Sequence, residues 1–336
     1  MKPIPLLNRG RRALALAACT LVAGAAAFAH GTAAAQPAAD SYPARPVKVI
    51  VPFPAGTSPD IVIRLLSQKL QERLGQPFVI ENRAGAGGSI GASAAALAAP
   101  DGYTLFFMVN SIVTMNQFIY KKLPYDPVKD FVPVSLVAAV PYVLLAHKDF
   151  PAKSLRELIA LAKSKPRDIN YASMGVGGAG HVIMELMSSE AAIQLMHIPY
   201  RADGLAAVAG GQVPLIFQPT TTAVSQIKTG NVIGLATTSP KRLALLPDVP
   251  SIAEVLPGFA ADGWQGMLAP AGVPAPVIDK LNKALTAILA QPDIVERFSS
   301  LGIVPWPSTP QQMQATINAD TAKWGKVIKD ANIEPQ

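Results

Sequence analysis

Residues 47–75, "VKVIVPFPAGTSPDIVIRLLSQKLQERLG", contain the pattern that decides the fold. The run VKVIV (47–51) is short and rich in valine, which is typical of a buried strand. A turn rich in proline and glycine follows, and apolar residues then recur at helical spacing until Gly75, where the helix is expected to end. A strand, a glycine-containing turn and a helix in this order predict the first unit of an α/β protein.

The same alternation continues along the chain. We expect strands at 77–81 and 103–108, with an alanine-rich helix at 91–99 between them. The apolar run 131–147 is interrupted by Pro141 and predicts two strands joined through a bend. Later strands are expected at 169–173, 195–200, 213–218, 232–238 and 264–269, and helices at 154–163, 180–189, 202–209, 221–229, 276–290, 292–299 and 309–329. The alternation of the first three strands with helices implies a parallel sheet, and the whole chain suggests two α/β units around a cleft, where ligands bind beyond the strand ends.

The first 36 residues predict a cleavable signal peptide. An apolar stretch (13–29) and a small-residue end (33–35) follow four basic residues, Lys2, Arg9, Arg11 and Arg12. The apolar stretch is shorter than the about 20 residues that a membrane span needs. The pair of arginines leaves twin-arginine export open. A lipoprotein-like box ends at Cys19, but the apolar stretch continues past it, so lipid anchoring is the less favoured alternative.

Removal of this leader changes the charge and the redox chemistry of the chain. The full chain has 29 basic and 22 acidic residues, and the four basic residues of the leader account for more than half of the net charge of +7. The remaining charge of +3, without a basic cluster, argues against nucleic-acid binding. Cys19 is the single cysteine, so the mature chain is expected to have no disulfide, thiol nucleophile or cysteine-based metal site.

A glycine-rich turn, "YASMGVGGAGH" (171–181), matches the spacing of a dinucleotide-binding fingerprint. Such a site also needs an acidic residue near the end of the next strand, and Asp203 comes slightly late. An exported protein meets little nicotinamide cofactor, so NAD binding is disfavoured. The helix after the turn offers unpaired N–H groups, so Ser173 and the amides from Gly177 to Gly180 could hold a carboxylate without a cationic side chain. The alternative is a turn that only packs the helix on the sheet.

A second turn of this kind, "PFPAGTSPD" (52–60), lies in the other α/β unit. Thr57 or Ser58 can cap the following helix, and the freed amides would again face the strand ends. Simple capping, without a ligand, is the alternative. The two turns therefore predict one anion-binding loop in each unit.

Catalytic and metal-binding motifs are weak. Gly87-Gly88-Ser89-Ile90-Gly91 has the spacing of a hydrolase nucleophile elbow, but it does not follow a strand directly. The histidines outside the leader are far apart in sequence and show no metal-ligand spacing: His147, His181 and His197. His181 could hydrogen-bond a ligand or its own backbone. Tyr200 and Arg201, at a strand end, could line the cleft or be solvated.

Several segments, in order across nearly the whole mature chain, together resemble the Bug family, the periplasmic solute receptors of tripartite tricarboxylate transporters. The matching segments are "YPARPVKVIVPFPAG", "PFVIENRAGAGGSIGA", "APDGYTLFF", "KKLPYDPVKDFVPVSLVA", "INYASMGVGGAGHVIMEL", "IPYRADGLAAVAGGQV", "IGLATTSPKRLALLPDVPSIAE" and "WQGMLAPAGVPAPVIDKLN". The resemblance implies a two-lobed type II periplasmic binding fold of the α/β class, which closes like a Venus flytrap on a small carboxylate. We expect lobe 1 to comprise residues 42–141 and 262–336, and lobe 2 to comprise residues 142–261.

In this family, backbone groups and ordered water from two loops hold most of the carboxylate, which implies loops 54–60 and 173–181 here. The expected ligand-binding residues are Ala55, Gly56, Thr57, Ser58, Asp60, Asn110, Ser111, Ser173, Gly177, Gly178, Ala179, His181, Tyr200 and Gln218. The family often has a second glycine at Thr57, a hydroxyl residue at Ala179 and an acidic residue near Gln218. A ligand ammonium would lose a counter-charge at Gln218, which favours carboxylates over amino acids.

The sequence therefore predicts a monomeric periplasmic receptor, not an enzyme, that needs no cofactor or metal. Its expected ligand is a di- or tricarboxylate or an aromatic acid, and its expected partners are membrane transporter subunits. Two alternatives stay open: a sensor that docks on a signalling protein through the same ligand site, and a secreted hydrolase that uses Ser89.

Overall fold

The structure is a computed structural model that describes residues 41–200 and 204–336. The predicted signal peptide (1–36), with Cys19, lies outside the described residues, as do Arg201 and Asp203. The strands are β1 (Val47–Val51), β2 (Phe78–Asn82), β3 (Thr104–Val109), β4 (Phe131–Val140), β5 (Tyr142–His147), β6 (Asn170–Ser173), β7 (Met196–Pro199), β8 (Leu215–Pro219), β9 (Val232–Thr237), β10 (Gly263–Pro270) and β11 (Val304–Pro305).

The α-helices alternate with these strands as the sequence predicts. They are α1 (Ser58–Leu74), α2 (Ser89–Ala96), α3 (Ser111–Thr114), α4 (Asn116–Ile119), α5 (Leu155–Ser164), α6 (Ala179–Ala191), α7 (Leu205–Ala209), α8 (Thr220–Lys228), α9 (Ala275–Leu289), α10 (Pro292–Ser300) and α11 (Pro310–Asp330). Short 3₁₀ turns occur at Ala86–Gly88 and Ile252–Glu254. The two short helices α3 and α4 and the two-residue strand β11 escaped prediction, because each is too short for a periodic pattern.

The strands form two sheets. One has six strands in the order β11-β4-β10-β3-β1-β2, and the other has five in the order β7-β6-β8-β5-β9. Strand β1 pairs in parallel with β2 and β3, and β6 does so with β7 and β8. The parallel sheet expected from the first three strands is therefore confirmed, whereas β10 runs antiparallel to both β3 and β4, and β5 runs antiparallel to β8 and β9.

The chain passes from one sheet to the other where the sequence predicts a bend. Strand β4 ends at Val140 in the six-stranded sheet, and β5 begins at Tyr142 in the five-stranded sheet, with Pro141 between them. The return runs from the end of β9 to Gly263, the first residue of β10. All strands of the five-stranded sheet therefore come from residues 142–237.

Both faces of each sheet are buried. In β1, Val49 and Val51 contribute to one apolar cluster, while Ile50 contributes to another on the opposite face. In β5, Leu144 and Val143 divide in the same way between two further clusters. Strands covered on both faces are apolar at nearly every position, which explains the continuous runs such as VKVIV and YVLLAH.

The C-terminal helix α11 packs against parts of both units. Met313 and Ile317, in its first half, belong to a cluster on the six-stranded sheet. Trp324 and Ile328, in its second half, belong to a cluster on the five-stranded sheet. Helix α11 therefore packs against both apolar cores.

Candidate functional site

The first candidate loop, here called loop 1 (Pro54–Asp60), connects β1 to α1. Gly56 has φ +83°, a left-handed conformation that favours glycine, and its N–H donates to Asp60 Oδ2 over 2.8 Å. Thr57 occupies the N-cap position, but its hydroxyl donates to the Pro54 carbonyl over 2.7 Å and does not cap the helix. The Ser58 hydroxyl accepts a 2.9 Å hydrogen bond from Gln265 Nε2 of β10. Side-chain capping by Thr57 or Ser58 is therefore not what organises this loop.

Asp60 organises loop 1 instead. Its carboxylate is buried and also accepts hydrogen bonds from Arg64 Nε and Asn82 Nδ2, each 2.9 Å long. Burial by itself raises the pKa of Asp60, but the hydrogen bonds from Arg64, Gly56 and Asn82 outweigh it and lower the pKa below 3.8. The first turn of α1 therefore contains a carboxylate that is ionised at neutral pH and accepts the Gly56 N–H of loop 1.

The second candidate loop, here called loop 2 (Ser173–His181), connects β6 to α6. Gly177 has φ +74°, and its N–H donates to His181 Nδ1 over 2.9 Å. The Ser173 hydroxyl is buried, donates to the Gly175 carbonyl over 2.9 Å and lies 2.5 Å from His197 Nε2. Ser173 and His181 thus hydrogen-bond to protein groups within and beneath the loop.

Two histidines stack beneath loop 2. The rings of His181 and His197 have centroids 3.7 Å apart and planes only 11° apart, and Tyr171 stacks on His197 at 5.0 Å. Burial lowers the pKa of His181 to about 3, helped by the adjacent His197, and lowers the pKa of His197 to about 4. Both imidazoles are therefore neutral near pH 7, although Glu185 Oε1 lies 4.0 Å from His181 Nε2.

The two loops differ in the charge near their helix N-termini. The first N–H groups of any α-helix have no carbonyl partner within the helix and together attract an anion. In α1, the first turn contains Asp60 and also a proline at its second position, which removes one donor. In α6, the first turn contains no acidic residue and begins with Ala179 and Gly180. The N-terminus of α6 is therefore the more favourable of the two for an anionic ligand.

A chain of contacts connects the two loops. A Cβ placed on Gly177 would lie 2.5 Å from the Ile119 side chain of α4, so loop 2 lies directly against this helix. The next residue, Tyr120, reaches Gly87 of the Ala86–Gly88 turn. Gly88 of that turn lies against Pro52, just before loop 1. Helix α4 and the glycine-rich turn therefore link the two loops through close contacts, and the lack of space for a Cβ at Gly87, Gly88 and Gly91 accounts for the glycines that formally match a hydrolase elbow.

The remaining predicted ligand residues are dispersed around these loops. Asn110 is buried, and its N–H donates to the Trp264 carbonyl over 2.9 Å. Ser111 begins α3, and the Tyr200 N–H donates to the Ser173 carbonyl over 3.1 Å. Gln218 is buried in β8 opposite Val143. Direct contact of these residues with a ligand stays a prediction.

Sequence reasoning missed Gln265, His197 and Thr238. Gln265 is buried in β10 and reaches Ser58 across the six-stranded sheet. Thr238 Oγ1 accepts from the Tyr142 N–H over 2.8 Å and donates to Asp262 Oδ1 over 2.6 Å, so one hydroxyl joins both crossings between the sheets. The available signal was a polar residue within or directly after a strand, and this pattern does not say what the residue contacts.

Other kinds of site find no support within residues 41–200 and 204–336. No cluster of three or more histidine, cysteine or acidic side chains could bind a metal ion there. None of the helices described in those ranges has the length and apolar character to span a membrane. Two surface depressions, of about 750 and 410 Å³, contain no residue of loop 1 or loop 2. Ser89, the alternative nucleophile, is buried at the start of α2.

Comparison with known proteins identifies the family. Residues 62–333 match the model of the tripartite tricarboxylate transporter family receptor. Among solved structures, the periplasmic binding protein BugD is 37% identical, with a TM-score of 0.77 over 88% of this chain and 100% of that one. The Rhodopseudomonas palustris protein Rpa4515 with adipate is 34% identical, with a TM-score of 0.81 over 88% of this chain and 100% of that one.

A third structure, MatC from Rhodopseudomonas palustris with bound malate, is 34% identical, with a TM-score of 0.75 over 85% of this chain and 100% of that one. These likenesses confirm the two-lobed periplasmic binding fold and the predicted family. The family consists of binding receptors, so the alternative of a hydrolase that uses Ser89 is dropped. The chain belongs to the tripartite tricarboxylate transporter receptor (Bug) family and is a periplasmic solute-binding receptor.

Proposed function

We propose that this receptor binds a small organic carboxylate, and that the N-terminal amides of α6 donate hydrogen bonds to one of its carboxylate groups. The observation that carries the proposal is the charge difference between the loops. Helix α6 has 13 residues, no acid in its first turn and only neutral imidazoles beneath it. An anion at such a terminus is stabilised without a cationic side chain.

Dicarboxylates are the favoured ligand class. Two of the relatives named above were solved with adipate and malate, which are both dicarboxylates. The Gln218 side chain is neutral, which disfavours an ammonium group at that position. Loop 1 has a hydroxyl at Ser58 and a compensated charge at Asp60, so it suits the second, more solvated end of such a ligand. Aromatic acids and tricarboxylates remain within the proposed class.

The proposed cleft lies between lobe 1 (42–141 and 262–336) and lobe 2 (142–261). The crossings at Pro141 and Asp262 would act as the hinge, and Thr238 joins them through Tyr142 and Asp262. Hinge closure around a ligand is the usual motion of such receptors. In this role, the receptor would act as a monomer and transfer its ligand to transporter subunits in the membrane.

A thermal-shift and calorimetry screen of the purified protein tests the ligand class. Adipate, malate, citrate, benzoate, glutamate and NAD form the panel. A ligand present at 100 times its Kd should add about 2.7 kcal/mol to the free energy of unfolding. We expect adipate or malate to give the largest shift, and stabilisation by NAD alone would overturn the proposal.

Substitution of Ala179 tests the location of the carboxylate. Ala179→Asp places a negative charge at the N-terminus of α6, and Ala179→Asn is the uncharged control of the same size. We expect the aspartate to weaken adipate or malate binding by about tenfold or more relative to the asparagine, while leaving the fold intact because an acid stabilises a helix N-terminus. Equal binding by the two variants would place the carboxylate elsewhere.

The transporter partnership needs a separate test. Chemical crosslinking in intact cells of the native host, with and without the best ligand of the panel, would capture the membrane proteins that contact the receptor. We expect ligand-dependent crosslinks to integral transporter subunits. Ligand-dependent crosslinks only to a sensor protein would favour the signalling alternative.

A further inference from the structure

Each of the two stacked histidines makes a hydrogen-bond contact with one residue of loop 2. His181 Nδ1 accepts the Gly177 N–H over 2.9 Å, and His197 Nε2 lies 2.5 Å from the Ser173 hydroxyl. The two rings lie face to face, with centroids 3.7 Å apart. Ser173 ends β6 and Gly177 lies four residues further on, so the pair of rings determines the separation between the strand end and the turn.

We propose that His181 and His197 act together as positioning residues that fix loop 2 in its binding conformation before a ligand arrives. This inference rests on the proposed function, because it assigns a role to the side chains beneath the proposed carboxylate seat. It changes the role expected of His181 from a direct ligand contact to a support for the Gly177 amide.

The hydrogen bonds specify which nitrogen of His181 carries the proton. An amide N–H can only donate, so Nδ1 of His181 must be an unprotonated acceptor, and the neutral ring carries its proton on Nε2. Nε2 faces Glu185, whose carboxylate also accepts the Tyr171 hydroxyl over 2.5 Å. The acid thus lies on the side of the ring away from Gly177, where it favours this tautomer.

Burial separates the histidines from the ligand. His181 is only 6% exposed and hydrogen-bonds to the loop backbone, so a ligand anion would meet amides rather than the imidazole. A loop fixed in advance loses less conformational entropy when it binds, and this increases affinity without a new contact. Loss of the acceptor would free the Gly177 N–H and leave the left-handed turn without its internal bond.

Two substitutions of His181 separate hydrogen bonding from packing. His181→Asn keeps an acceptor near the position of Nδ1 but loses the ring, whereas His181→Phe keeps a stacking ring and loses the acceptor. We expect the phenylalanine variant to bind adipate, or malate if that is the better probe, about tenfold more weakly. We expect the asparagine variant to recover most of this loss, even though it lacks the stack.

His197 offers a parallel pair of variants. His197→Gln keeps a polar group near the position of Nε2, and His197→Phe keeps only the ring. The same order of affinities is expected, with the glutamine variant closer to the wild type. A purely structural role would lower Tm in all four variants and leave affinity unrelated to the retained hydrogen bond.

NMR of the wild-type protein tests the same arrangement without any substitution. A through-bond coupling between the Gly177 amide nitrogen and His181 Nδ1, and an Nε2–H tautomer of His181, are the expected results. A protonated Nδ1, or wild-type affinity in both phenylalanine variants, would overturn the inference. If the wild type binds no carboxylate of the panel, the proposed function fails separately, and the NMR result decides whether the histidines fix the loop.

Discussion

Loop 1 and loop 2 use the same backbone device with opposite electrostatics. In each, a glycine in the left-handed region donates its N–H to a side chain four residues later, in the first turn of the following helix. In loop 1 this acceptor is the ionised Asp60, which is paired with Arg64. In loop 2 it is the neutral His181, which is stacked on His197. The N-terminus of α1 therefore lies beside an internal negative charge, whereas the N-terminus of α6 lies beside a neutral imidazole.

The difference in charge suggests that the two sides of the proposed cleft contribute differently to ligand binding. A carboxylate that approaches loop 1 meets amides already opposed by an internal acid, whereas a carboxylate at loop 2 meets amides above uncharged rings. The strength of an anion site at a helix terminus depends on this local charge as well as on the amides themselves. Loop 2 is thus expected to anchor the ligand and loop 1 to select it.

The largest difference is expected between Gly177→Ala and Gly56→Ala. Both glycines have positive φ, which costs another residue about 1–2 kcal/mol. A Cβ on Gly177 would also lie within 2.7 Å of three Ile119 atoms, whereas one on Gly56 would meet nothing within 4 Å. We expect Gly177→Ala to lower the free energy of unfolding by about 2–5 kcal/mol and Gly56→Ala by only about 1–2 kcal/mol. Equal losses in urea unfolding would show that contact with α4 does not distinguish the loops.

Acid should weaken loop 2 at a higher pH than loop 1. A free histidine has a pKa of 6.5, so the unfolded chain takes up protons below this pH, while folded His197 and His181 stay neutral until about pH 4 and about pH 3. Stability is therefore complete above pH 6.5 and declines as the pH falls, by about 1–2 kcal/mol for each histidine at pH 5. The lowered pKa of Asp60 costs stability only as the pH falls below about 4.

Urea unfolding at pH 7.5 and pH 5 measures this effect. The double variant His181→Asn/His197→Gln lacks both stacked imidazoles and is the control for all other titrating groups. The wild type should lose more stability than the double variant over this interval. An identical loss would mean that protonation of the stacked rings does not weaken the fold.

Asp60→Ala tests the internal charge of loop 1. The substitution leaves the Gly56 N–H without its acceptor and removes one of the two acceptors of Asn82 Nδ2, the other being the Phe53 carbonyl, which is expected to cost about 2–3 kcal/mol. Asp293→Ala is a matched control, because Asp293 also lies in the first turn of a helix and pairs with a lysine, but on the surface. Surface ion pairs contribute little, so the control should unfold close to the wild-type urea concentration.

A second substitution of the same residue, Asp60→Asn, sharpens the electrostatic comparison. Removal of the negative charge from loop 1 should increase its attraction for an anion, so a folded Asp60→Asn variant should bind adipate or malate no more weakly than the wild type. Calorimetry measures the affinity. A large loss of affinity in this variant would mean that Asp60 contacts the ligand directly, as the sequence first suggested.

Ser58→Ala should have the smallest effect. The Ser58 hydroxyl is the acceptor for Gln265 Nε2, and Gln265 is 1% exposed, so its loss should cost about 1 kcal/mol. Ser225→Ala is the control, since that exposed hydroxyl only donates to the Thr222 carbonyl one helical turn earlier. A loss no larger than in the control would mean that β10 does not support loop 1.

Much of the secondary structure could be predicted because local pattern and burial agree. The apolar runs of β1 and β5 correspond to strands covered on both faces, and Gly75 ends α1 in the left-handed conformation expected of a helix C-cap. The antiparallel β10 could not be predicted, because a central strand has the same apolar composition whichever way it runs. Strand β10 lies between β3 and β4 because the chain returns from the five-stranded sheet to the six-stranded sheet only after β9.

The candidate site was only partly visible in the sequence for a related reason. The glycines and helix starts of both loops are local features, and they identified the segments that could supply amides. The partners of those amides are side chains whose orientation depends on packing. Asp60 was predicted to bind a ligand, and His181 to bond either a ligand or its own backbone; the structure shows their hydrogen bonds with Gly56 and Gly177.

By itself, the sequence determined the alternation of strands and helices, the bend at Pro141, the two glycine-rich turns and the family, because each of these depends on residues that are neighbours along the chain. Only the tertiary structure decided that His197 stacks on His181, that Gln265 reaches Ser58 and that Thr238 joins the two crossings. These contacts bring together residues that are 16 to 207 positions apart, and their geometry exists only once both sheets and their apolar cores have formed.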